Sequence, residues 1–101
     1  MSNFVLKLEG VVSPYNGEHY VGFVLDVLRE YLGWNVNNYI LNGNTLYDEN
    51  ATISMRLKDS RISVRRIEKD TYLISGFPES ENKEDLQRRA PEILKRILGS
   101  K

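Results

Sequence analysis

From Ala51 to Phe77 the chain alternates apolar and polar side chains with the two-residue period of a β-strand. One parity holds Ile53, Met55, Leu57, Ile62 and Val64, and the other holds Thr52, Ser54, Arg56, Lys58, Arg61, Ser63 and Arg65. A helix does not sort residues this way, because its faces repeat every ~3.6 residues. The stretch therefore predicts strands of an antiparallel sheet with one oily face and one basic face. The oily face needs a covering layer, and the rest of the chain must supply it.

Two segments have the spacing to do so. In a helix expected over about Glu18 to Leu32, Val21, Val24, Leu25, Leu28 and Leu32 form one stripe. Tyr20, Phe23, Val27 and Tyr31 form a second stripe beside it. Together they span an arc of about 200°, which exceeds what one core-facing side requires. Gly33 stands where a left-handed cap is wanted, and Trp34 is placed to fold back on the last turn. A closing helix is expected over about Asn82 to Leu98, with Leu86, Ala90, Ile93, Leu94, Ile97 and Leu98 on one face. Glu84 and Asp85 at its start and Lys95 and Arg96 near its end suit the helix dipole. Pro91 predicts a kink rather than a break, since the apolar face continues across it.

The remaining chain reads as strands and turns. A first strand runs about Asn3 to Val12, with Gly10 marking a bulge or an end. Turn residues follow from Ser13 to Gly17. Val36 to Leu41, Asn42-Gly43 and Asn44 to Tyr47 predict a two-residue hairpin. The meander is then 51–58, 61–67 and 71–77, turning at Asp59-Ser60 and Glu68-Lys69-Asp70 and ended by Pro78. The expected fold class is α+β, in the order strand, helix, hairpin, three-strand meander, helix. Its economical packing is a two-layer sandwich, a mainly antiparallel sheet with two helices on one face, as a single domain over 1–101. In element order the chain resembles one repeat of the TATA-box-binding-protein fold. The phenylalanines that family exposes on its concave sheet have no counterpart here, and no functional residue is carried over.

Composition narrows the function classes. The chain has no cysteine, which excludes a disulfide framework and thiolate metal sites. No apolar run approaches the ~20 residues of a membrane span. The N-terminal run shows no secretory pattern, so a cytoplasmic location is expected. Net charge is zero but uneven: residues 1–50 hold two bases and six acids, and residues 51–101 hold twelve bases and eight acids. Such asymmetry marks either an anion-binding surface or two surfaces that meet by opposite charge.

Three constellations follow. Lys7, Arg56, Lys58, Arg61 and Arg65 fall on the outward sheet surface, where nucleic acid, another anion or an acidic protein surface would dock. The competing reading is a solvated face whose charges discourage aggregation. Tyr72, or Phe77 on the opposite parity, is the aromatic within reach for base stacking. Tyr20, Phe23, Val27 and Tyr31 are either a homodimer interface or a surface covered by the second helix.

His19, the single histidine, finds its nearest acid on the same helix side at Asp26, about 10 Å along the axis. No catalytic pair comes from this helix, and a solvated first-turn histidine is expected. Glu79, Glu81, Glu84 and Asp85 are explained by the helix start alone. No phosphate-cradling glycine loop and no activated nucleophile appears, so no cofactor is implied and an enzyme is not expected. The expected function is a small non-enzymatic protein-interaction or assembly module, homodimeric. The alternative is a nucleic-acid- or anion-binding module using the basic outer face of the sheet.

Overall fold

A computed structural model of the chain describes residues 2–14, 18–32, 38–57 and 60–99. The order is β1 (Ser2–Lys7), α1 (Val21–Leu32), β2 (Tyr39–Asn42), β3 (Thr52–Leu57), β4 (Ser60–Glu68), β5 (Thr71–Phe77) and α2 (Lys83–Gly99). The strands form one antiparallel sheet in the order β1-β5-β4-β3-β2. The fold is α+β. The expected cap at Gly33 with Trp34, the strand start at Val36 and the turn residue Asp59 lie outside the described residues.

Parity governs the sheet as the alternation demands. Ile53, Met55, Leu57, Ile62 and Val64 are all buried, while Arg56, Arg61, Ser63 and Arg65 are exposed. The inner face joins α1 and α2 in one apolar core through Leu6, Ile74, Leu25, Leu28, Leu86 and Ile93. Each such side chain contributes roughly 1.5–3 kcal/mol by leaving water.

Two irregularities re-aim side chains. Gly76 sits inside β5 at φ +78, where a Cβ would stand 2.1 Å from the Arg61 carbonyl oxygen. This bulge changes the parity, so Tyr72, Ile74 and Phe77 all point inward. The β4–β5 register also slips between Arg66 and Glu68, which leaves Ile67 at the bulge.

Both helices start later than expected. α1 begins at Val21 rather than near Glu18, because Glu18 and His19 are engaged elsewhere. α2 runs unbroken through Pro91, and Asn82 caps it by accepting the Asp85 amide at 3.0 Å. Tyr31 of α1 donates to Asp85 Oδ2 of α2 at 2.8 Å, and Arg89 lies over the Tyr31 ring.

The expected two-residue hairpin turning at Asn42-Gly43 is a correction: Asn42 ends β2, Asn44 to Tyr47 is a loop, and β2 pairs instead with β3. Leu46 and Tyr47 leave the sheet to pack on α1 at Gly22, whose missing Cβ permits their approach. The Gly22 amide donates to the Leu46 carbonyl at 3.1 Å, and Asp48 accepts from Asn44 and Asn50 to hold the loop.

Candidate functional site

The outer face of the sheet has no described element over it. Register arranges it in rows. Arg56 and Arg61 oppose each other directly at one end. The next row carries Ser54, Ser63 and Ser75 across the three central strands, ending on Ile40 of β2. The following row carries Thr52, Arg65, Leu73 and Val5. Rows lie about 6.8 Å apart and strands about 4.8 Å apart. Small hydroxyl side chains thus form a flat strip with arginines on both sides of it.

Arg56, Arg61 and Arg65 are exposed, and no described carboxylate pairs with them. Directly opposed like charges are destabilising. A guanidinium is planar and offers several donors, so it takes phosphate or carboxylate oxygens two at a time. Lys7 does point outward, but it stands two strands and a row away from Arg65, by about 12 Å, and its neighbourhood holds Thr71 and Glu68. The structure therefore brings together three of the five expected cations. Lys58 lies outside the described residues. Neither Tyr72 nor Phe77 reaches this face, since both are fully buried on the other side. Among the described strand residues on this face there is no aromatic ring on which a base could stack.

Of the two readings of the α1 aromatic stripe, burial favours cover from within the chain. Phe23 and Val27 are buried within the chain, and only Tyr20 and Tyr31 keep part of their surface. Tyr47 of the β2–β3 loop packs edge-on against Tyr20 and Phe23, and α2 takes Tyr31. Desolvation, aided by the hydrogen bond to Asp85, pushes the Tyr31 hydroxyl pKa up. The same bond leads in holding the Asp85 carboxyl below its ordinary range. The surplus apolar area therefore has its cover inside the chain.

His19 also departs from expectation. It precedes the helix, is only 1% exposed, and its Nε2 donates to the Val11 carbonyl at 2.9 Å. Asp70, from the β4–β5 turn, stands 3.6 Å from the same nitrogen. Beside it Arg66 shares the inward parity of Ile62 and Val64 and is a cross-strand partner of Tyr72. Arg66 donates to Glu18 at 2.9 Å, and this bond leads in holding the Glu18 carboxyl below the usual range. Burial pushes the Tyr72 hydroxyl up, so it stays neutral.

The sequence pattern carried one signal for Arg66, its parity. It carried none for the meeting of His19 with Asp70, which joins distant segments. Geometrically the cluster is a clamp. The histidine spends its donor on a carbonyl, and the carboxylate lies beyond hydrogen-bond reach. Among the described residues no group of histidine and carboxylate side chains converges for a metal ion, and no helix is long and apolar enough to cross a membrane.

Comparison of the chain with protein families, curated proteins and solved structures finds no match.

Proposed function

We propose that the chain is a non-enzymatic binding module that docks a polyanion, foremost the phosphate backbone of a nucleic acid, on the open face of its sheet. One observation carries the reading: Arg56, Arg61 and Arg65 bracket a serine strip with no described carboxylate partner. Phosphate backbones are the commonest anion that meets such a surface. The missing aromatics direct the reading to backbone contact and away from base stacking. An acidic protein surface is the second occupant the same charges suit. Absence of cysteine agrees with a reducing, cytoplasmic setting. The assembly role expected of the α1 stripe is not part of this proposal, because Phe23 and Val27 have no surface to offer.

Fluorescence anisotropy with labelled duplex and single-stranded oligonucleotides at stepped salt tests it. Three phosphate contacts on duplex DNA predict a slope of log affinity against log salt of about −2.7. Replacing Arg56, Arg61 and Arg65 together by alanine should remove binding without unfolding the chain. No affinity even at about 50 mM salt would overturn the reading, as would binding that survives the triple substitution.

A further inference from the structure

We infer that two copies of this chain pair antiparallel along the outer edges of β2, with Ile40 at the two-fold axis, to make one continuous ten-stranded sheet from the two five-stranded ones. The two edges of the sheet are finished differently. At β1 the side chain of Gln87 on α2 donates to the Val5 carbonyl at 2.7 Å, so an incoming strand would have to displace it. Lys7 adds an exposed charge on that strand. Natural edges are commonly blunted by such devices, or by proline and bulges. β2 has none of them. Its four residues pair regularly with β3, none is charged, and no described group bonds to its outer side.

Its side chains also ask for more cover. Ile40 is 57% exposed on the open face, and Tyr39 and Leu41 are half-buried at the margin of the core on the other. An added strand gains area on both faces only if it presents the same alternation. The segment Asn38-Tyr39-Ile40-Leu41-Asn42 is palindromic by chemistry, polar at each end and apolar between. Antiparallel pairing about Ile40 sets Ile40 against its own copy on the open face. It sets Tyr39 against the partner subunit's Leu41 on the core face, and Asn38 against the partner subunit's Asn42. Every pair matches in side and in polarity, as an isologous contact requires. This self-match selects a second copy over a foreign strand.

Charge does not oppose the pairing. With the axis normal to the sheet, both basic faces lie on the same side. The two Arg65 residues are five strands and two rows apart, about 28 Å, and the two Arg56 residues three strands and two rows, about 20 Å. Both exceed the ~8 Å Debye length at physiological salt. The dimer would double the docking surface for one long polyanion. The pairing itself rests on the strand edge and stands or falls apart from the anion reading.

Sedimentation of the full chain from 10 to about 500 µM covers the range expected of a small interface. The wild type should pass from monomer to dimer without any anion present. Ile40→Lys, at an exposed position, should weaken association at least tenfold (about 1.4 kcal/mol) with an unchanged circular-dichroism spectrum and with Arg56, Arg61 and Arg65 intact. Because the chain has no cysteine, Ile40→Cys gives a second test. Opposed residues of an antiparallel pair lie at disulfide distance, about 4.5–5.5 Å. That variant should cross-link under mild oxidation far faster than Val12→Cys, an exposed control away from the sheet edge. A chain that stays monomeric throughout would leave the edge to a foreign strand and overturn the inference. So would a dimer in which Ile40→Cys cross-links no faster than the control.

Discussion

Arg65 and Arg66 are neighbours in β4 that serve opposite ends. Arg66 points to the helix side, where its side chain is only 13% exposed and Glu18 takes its guanidinium at 2.9 Å. Arg65 points to the open side, exposed, between Thr52 and Leu73, with no described carboxylate paired to it. The first is consumed in closing one end of the sandwich. The second keeps its guanidinium at the open surface beside a strip of serines. One residue of register separates a structural cation from an available one, so the two faces should answer very differently to the same kind of change.

The largest contrast comes from a carboxylate placed on each face. Val64→Asp buries a charge at a fully buried inner position and should cost several kcal/mol, enough to unfold a marginal domain. Arg65→Asp, one residue on, should shift stability by no more than about 0.5 kcal/mol in urea denaturation. Gly76→Ala should be next, at about 1–3 kcal/mol, since the position combines positive φ with contact against the Arg61 carbonyl. Loss of the bulge would turn Phe77 out of the core.

Acid titration sharpens the comparison further. The Glu18 carboxyl titrates below its ordinary 4.5 in the folded chain. Its contribution is therefore complete above about pH 4.5 and is lost as the pH falls through the lower folded value. Arg66→Met should flatten that part of the stability profile, whereas Arg65→Met should leave it unchanged. The smallest effect carries an inverted sign. Arg56→Glu converts an opposed like-charge pair with Arg61 into an opposite-charge pair, and should raise stability by about 0.2–1 kcal/mol while weakening polyanion binding. Stability gained where binding is lost is the mark of a surface kept for a partner.

The architecture was legible because period-two alternation and helical stripes are local signals. Ile53 to Val64 and Leu86 to Leu94 reveal their faces without any knowledge of neighbours. What escaped depends on contacts between distant segments or on a single bulge. Strict parity buries only one of Tyr72 and Phe77, and the bulge at Gly76 buries both. Leu46 and Tyr47 have the look of a strand, yet a glycine in α1 draws them off the sheet. His19 finds its partners at Val11 and Asp70, which no helical spacing reveals. Of the basic set, strand parity placed Arg56, Arg61 and Arg65 correctly, but the distance of Lys7 required the strand order.

The most direct measurement is an amide chemical-shift titration of the isotopically labelled chain with a short oligonucleotide at low salt. Perturbations should concentrate on Ser54, Arg56, Arg61, Ser63, Arg65 and Ser75, with α1 and α2 unmoved. Shifts centred on the helices, or none at saturating oligonucleotide, would contradict the assignment of the open sheet face as the docking surface.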